Sequence, residues 1–206
     1  MKLKKMLALT MAAVLAAGLT ACGSSAATSA APAAESTEAA GVPDGDGDPT
    51  TLTVAMECAY APYNWTQSDD SNGAVAIRGS SDYAYGYDVM MAKKIGEALG
   101  QKVQIVKLDW DSLIPAVMSG DVDCVIAGQS ITAERAAQVD FSDPYYYASI
   151  VTLTKKDSAY ANAASVADLA GATATSQLGT IWYDTCLPQI ENANILPAQE
   201  TAPAML

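Results

Sequence analysis

The sequence contains no histidine. It therefore lacks the side chain most often used for proton transfer near neutrality and a common zinc ligand. Its four cysteines, Cys22, Cys58, Cys124 and Cys186, show no paired spacing. Neither a metal site nor a cofactor is expected. Basic residues are few: 11 lysines and arginines stand against 23 aspartates and glutamates, a net charge of −12. That balance argues against nucleic acid as a partner, because phosphate binding needs a basic patch. No apolar run reaches the roughly 20 residues of a membrane-spanning helix, and no repeat of solenoid period is present.

What is there begins with "MKLKKMLALTMAAVLAAGLTAC". Three lysines precede an apolar stretch of about 14 residues, the layout of a secretion signal. Its end, Leu19-Thr20-Ala21-Cys22, resembles a bacterial lipobox, which implies cleavage before Cys22 and a lipid on its thiol. Such an anchor needs no spanning helix, since each buried lipid CH₂ contributes roughly 0.8 kcal/mol. Loss of the leader would leave 8 basic and 23 acidic residues, a net of −15. Residues 23–50 are rich in Ala, Ser, Gly, Pro and acid and read as a flexible linker. Its "DGDGDP" lacks the Gly and Glu of a calcium loop at the sixth and twelfth places, where Pro49 and Ala55 stand.

From Thr51 the pattern alternates. Strands are expected at 51–56, 102–108 and 122–128, and helices at 87–100 (opened by Asp88), 111–120 (opened by Asp111) and 132–139. A possible hairpin lies near Ala74 to Arg78, and "AYAPYNW" (59–65) reads as a Pro-broken loop. Strands alternating with helices predict a parallel sheet and an α/β lobe over 51–145. A second segment, 146–206, predicts a strand at 149–156, a strand then a loop over 172–179, a short strand at 193–196, and helices at 165–171, 180–190 and 201–206. It is short for a closed domain, and the chain reads as truncated.

Ligands of open parallel sheets bind at the C-terminal strand ends. The loops there carry Glu57, Tyr60, Tyr63, Trp65, Trp110, Ser130, Thr132 and Arg135. Arg135, one of only two arginines (the other is Arg78), closes "GQSITAER" just beyond the apolar run "VDCVIA". A cation in the first turn of a helix is locally unfavourable by roughly a few tenths of a kcal/mol or more, and such local costs often mark function. A guanidinium fork matches a carboxylate. Arg135 could therefore hold a ligand carboxylate, or it could ion-pair with Asp140 or Asp143. Tyr60 and Trp110 could clamp a ligand side chain or cap the sheet edge. Glu57 could accept hydrogen bonds from a polar or cationic group, or simply be solvated.

The stretch 51–206 resembles the extracellular solute-binding proteins of polar amino-acid ABC transporters. The resemblance rests on "YAPY", "GYDVMMAKKIGEALG", "DWDSLIPAVMSGDVDCVIAGQSITAERAAQVDFSDPYY" and "LGT". It implies a periplasmic-binding-protein-like α/β fold of two lobes with a hinge, the second lobe incomplete, and a lipid-anchored monomer on the outer face of the cytoplasmic membrane that serves a permease. It further implies that Arg135 pairs with the ligand α-carboxylate and that Ser130 adds contacts to it. The Gly128 carbonyl would accept from the α-ammonium, and Tyr60 and Trp110 would flank the side chain. Glu57 would read that side chain, while Gly179 and Thr180 close from the second lobe. Asp143 to Tyr147 would form the first hinge crossing. Insert 66–86 is longer than the family's hairpin, which leaves Arg78 without a role. Rival readings are a sensory domain of the same fold and an enzyme like the cyclohexadienyl dehydratases, for which Glu57 would have to titrate near neutrality.

Overall fold

A computed structural model describes residues 48–206. The leader, the lipobox with Cys22 and most of the linker lie outside the described residues. Strand β1 (Thr51–Met56) is the centre of a parallel sheet of order β6-β1-β7, with β6 spanning Lys102–Lys107 and β7 Cys124–Val125. β1 meets β6 along its whole length, from Thr51 opposite Lys102 to Met56 opposite Lys107. The central position explains its sequence. Leu52 to Met56 are all buried, so the strand is covered on both faces. Its one buried hydroxyl is satisfied: Thr53 Oγ1 donates to Asp123 Oδ2 at 2.5 Å, and the Asp123 N–H donates back at 3.0 Å.

A four-stranded antiparallel sheet joins β2 (Ala59–Tyr60), β3 (Asn64–Gln67), β5 (Tyr83–Tyr85) and β4 (Val75–Ala76) in that spatial order. The loop expected at 59–65 is thus a hairpin, with Ala59 opposite Trp65 and Tyr60 opposite Asn64. Pro62 sits in its turn, where its missing N–H leaves no ladder bond unmade. Insert 66–86 also has a place: Ile77 bridges Ile105, and the Arg78 N–H donates to the Ile105 carbonyl at 2.8 Å. The insert thereby covers the outer edge of β6, which would otherwise present unpaired backbone.

Helix α1 (Tyr87–Leu99) and helix α2 (Leu113–Ser119) connect the parallel strands, and Gly100 and Gly120 end them in the left-handed conformation that glycine favours. Neither expected opener caps its helix. Gly86 precedes α1, while Asp88 is fully buried inside its first turn. Asp111 belongs to a short 3₁₀ turn, Trp110–Ser112, ahead of α2. On α1 the buried face is Val89, Ala92 and Gly96, and Ile95 and Leu99 are exposed. Helix α3 is one turn, Ala133–Ala136.

Beyond it the expected elements shrink. Strands β8 (Thr173–Ala174) and β9 (Asn194–Ile195) form a two-stranded parallel ladder. The helices expected at 165–171 and 201–206 are 3₁₀ turns at Val166–Leu169 and Pro203–Met205. The helix expected at 180–190 is a π-helical turn, Trp182–Cys186, followed by a 3₁₀ turn, Leu187–Gln189, where Pro188 cannot extend a helix. The strand expected at 149–156 does not form. Ile150, Val151 and Leu153 are exposed there, and no described strand pairs with them. An apolar alternating run becomes a strand only when a ladder partner and a face to bury exist. Among the described residues no helix is long and apolar enough to cross a membrane, and Cys58, Cys124 and Cys186 are free thiols.

Candidate functional site

The loops following β1, β6 and β7 meet at one edge of the sheet. There Glu57, Tyr60, Trp110, Ala127, Gly128, Ser130 and Arg135 line a cavity, together with Gln177, Thr180, Ile181 and Trp182 from the later segment. The enclosed space is about 20 Å³, room for about one water molecule.

Arg135 is placed by the turn that precedes it. Thr132 caps α3, its Oγ1 accepting the Arg135 N–H at 3.2 Å, so this hydroxyl is used locally and does not line the cavity. The guanidinium donates through Nη1 to the Ser130 carbonyl at 2.8 Å and through Nη2 to the Gly179 carbonyl at 3.0 Å. Its Cζ lies 5.6 Å from the Trp110 ring centroid, within cation–π range. Neither Asp140 nor Asp143 accepts a hydrogen bond from it; its partners are neutral carbonyls. Burial pulls its pKa below the ordinary arginine value, with Glu134 and Asp184 acting in the opposite direction.

Gly179 approaches closely: its carbonyl also accepts from Trp110 Nε1 at 3.1 Å. Its φ is +65°, and a Cβ added there would run into the Asp111 carboxylate. Thr180, almost fully buried, spends its hydroxyl on its own turn, donating to the Gln177 carbonyl at 2.7 Å.

Glu57 is 5 % exposed. Its Oε1 accepts from Gln177 Nε2 at 2.8 Å, and the same amide nitrogen also donates to the Glu200 carbonyl at 3.1 Å. Burial pushes the Glu57 carboxyl above its ordinary value, opposed by the Gln177 hydrogen bond and reinforced by Asp109. A carboxylate with one neutral donor retains acceptor capacity.

The aromatic arrangement differs from a simple clamp by Tyr60 and Trp110. Tyr60 stacks on Tyr63, centroids 5.0 Å apart, and meets Trp182 at 6.0 Å. Trp110 instead lies against Arg135. Trp65 packs edge-on against Tyr85 on the antiparallel sheet, outside the cavity. Sequence reasoning missed Ala127, Gln177, Ile181 and Trp182. The last three flank "LGT", so the loop motif signalled the neighbourhood, but nothing in the pattern told which neighbours turn inward.

Residues 52–200 match the model of the bacterial extracellular solute-binding proteins, family 3. The chain belongs to that family. Among curated relatives, the arginine-binding extracellular protein ArtP of Bacillus subtilis (strain 168) is 33% identical over 179 residues, covering 87% of this chain and 58% of ArtP. The crystal structure of the ancestral amino acid-binding protein AncCDT-1, described as a precursor of cyclohexadienyl dehydratase, is similar with a TM-score of 0.62 and 34% identity. That match covers 76% of this chain and 64% of AncCDT-1. The arginine-bound form of truncated ArgBP from T. maritima gives a TM-score of 0.62 at 29% identity, over 76% of this chain and 66% of that one. The chain spans about half the length of the first curated relatives it matches, between 49% and 58%.

Proposed function

We propose that this chain captures an amino acid outside the cell and delivers it to the permease of an ABC importer. It would act as a monomer held to the membrane by lipid on Cys22. The observation that carries the reading is Arg135, a half-buried cation whose two hydrogen bonds go to neutral carbonyls. A carboxylate makes shorter and roughly twice stronger bonds to guanidinium than a carbonyl does. A ligand α-carboxylate would therefore displace the Gly179 carbonyl from Arg135, aided by Ser130, while the Gly128 carbonyl takes the α-ammonium.

Glu57 names the side-chain class. It is a buried carboxylate lining the same cavity, and a ligand cation there would offset its desolvation. A basic side chain, that of L-arginine first, fits this acceptor better than an apolar one. ArtP and ArgBP, both named for arginine, support the same class.

A cavity of about 20 Å³ holds no amino acid. Entry therefore requires the Gln177–Trp182 segment to swing away, breaking Gln177–Glu57 and the two bonds to the Gly179 carbonyl. Closure over the ligand then excludes water and presents a shape that a permease can read. A thermal-shift panel of L-amino acids tests this. A ligand at about 1,000 times its Kd adds roughly 4 kcal/mol. L-arginine is expected to raise the midpoint most, and the absence of a shift with every amino acid would overturn the reading.

One observation favours a second reading: Glu57 is a titratable group with a raised pKa inside the cavity, and AncCDT-1 is a precursor of an enzyme. Incubation with prephenate or arogenate distinguishes the two, because decarboxylation would release carbon dioxide and a binding protein would leave both acids intact.

A further inference from the structure

From the core to the cavity edge runs a partly buried chain of polar groups, of which Asp88, Asn64 and Tyr145 have no part in the binding reading. Asp88 in the first turn of α1 is fully buried, as is Asn64 at the start of β3. Asp88 Oδ2 accepts from Asn64 Nδ2 at 2.7 Å, and Asn64 Oδ1 accepts from the Cys58 N–H at 2.8 Å. Asp88 Oδ1 accepts from Tyr145 Oη at 3.0 Å, and Tyr145 Oη accepts from the Gly128 N–H at 2.9 Å. Tyr145 belongs to the irregular segment that follows α3. Its carbonyl takes a further bond from Tyr87 Oη at 3.2 Å.

The chain therefore touches three places at once. Cys58 follows Glu57 directly. Gly128 lines the cavity beside Ser130. Tyr145 lies in the segment that the family resemblance makes the first hinge crossing. Asp88 is the only charged member and it has two neutral donors. A buried carboxylate of this kind is costly, and burial pushes its pKa above the ordinary value despite both hydrogen bonds. A hydrophobic pair would hold these elements together at smaller cost. What the carboxylate adds is direction. It accepts at both oxygens, so it orients the Asn64 amide and the Tyr145 hydroxyl proton. The oriented phenol must in turn accept from the Gly128 N–H, which fixes the peptide plane of the cavity-lining loop.

We propose that Asp88 and Tyr145 act as a positioning pair, holding the Glu57 and Gly128 loops in register with the crossing segment and so setting ligand affinity and release rate. This rests on the binding reading above. Neither residue would touch the ligand; they act through Gly128 and Cys58.

Asp88→Asn presents an amide N–H₂ either to the Asn64 amide, donor against donor, or to the Tyr145 oxygen, which then has no acceptor for its proton. Tyr145→Phe removes the link to Gly128 and leaves the ring. For each single variant we expect Kd for L-arginine, or for whichever L-amino acid gives the largest thermal shift, to weaken about tenfold. Supporting residues around metal sites matter by about 10–100-fold, and a loss at the lower end of that scale is expected here, mainly in a faster release rate. The double variant should be little worse than the weaker single variant, because the pair acts as a unit. In ¹⁵N-glycine-labelled full-length protein the Gly128 amide signal should shift in both variants. Ile105→Ala, in the core of β6 and away from the chain of bonds, should lower the melting midpoint and leave Kd unchanged. If ligand binds the parent but Tyr145→Phe and Asp88→Asn change Kd less than twofold, or lose affinity only in proportion to lost stability as Ile105→Ala does, the pair is structural and the proposal fails. If the parent binds no amino acid, the binding reading has failed, and this inference with it.

Discussion

The region from Thr51 to Ala127 and the region from Tyr160 to Ala193 support the same cavity from opposite sides, and they are built differently. The first buries sixteen apolar residues around one parallel sheet. The second buries three, Leu169, Ala172 and Ile190, under a two-residue ladder. Between them Tyr147, Val151 and Leu153 are more than three-quarters exposed. The first region can therefore hold Glu57 and Trp110 in fixed positions, with Arg135 on the turn of α3 that follows it. The second contributes Gln177, the Gly179 carbonyl, Thr180 and Trp182 from a support with little core of its own. Elements with few buried contacts open at low cost. Under the proposed function, the first side would be the rigid receptor and the second the part that moves.

The comparison breaks most visibly in the cores. Leu113→Ala is expected to cost about 2–5 kcal/mol of global stability, read by denaturant unfolding. Ile190→Ala should cost clearly less, because its cluster can open without the main sheet. Equal losses would mean that the two regions unfold as one and that the second is no mobile element. Amide exchange sharpens the same point. Val54 and Ile105 should exchange only by global unfolding, whereas residues 149–154 should exchange at nearly unprotected rates.

Acidity offers a smaller effect. Burial raises the carboxyls of Glu57 and Asp88 above their ordinary values of 4.5 and 3.8. In the fold their ionised forms are penalised, so at neutral pH they lower stability. That penalty is relieved as pH falls through the raised folded values. Binding of a cationic ligand has the opposite sign, since it needs ionised Glu57. Affinity for L-arginine should hold near neutrality and drop by about tenfold per pH unit below the raised Glu57 value. The Glu57→Gln variant should bind more weakly and lose that slope. A slope unchanged in Glu57→Gln would place the titrating group elsewhere. The smallest change is at the cap of α3: Thr132→Ala should cost about 1 kcal/mol and weaken ligand binding slightly by loosening the Arg135 turn.

The parallel core was legible because its signals are local. The strand character of β1, the glycines ending α1 and α2, and the apolar run before Gly128 each state their structure within a few residues. The strand ends then bring Glu57, Trp110, Gly128, Ser130 and Arg135 together by topology alone. What failed depends on distant partners. The 149–156 run has strand composition but meets no neighbour to pair with. Asp88 has the chemistry of a cap, yet Asn64 and Tyr145 draw it inward. Gln177 and Trp182 point into the cavity because of how the later segment folds over Trp110, a contact about 70 residues away in sequence, which no periodicity reports.

The most direct test of the account is calorimetric titration of L-amino acids into the parent chain, Arg135→Ala and Arg135→Lys. The account predicts that the parent binds a basic amino acid, that Arg135→Ala abolishes binding, and that Arg135→Lys keeps a weakened remnant through its single charge. An Arg135→Ala variant that binds as tightly as the parent would contradict it, because the carboxylate would then be held elsewhere.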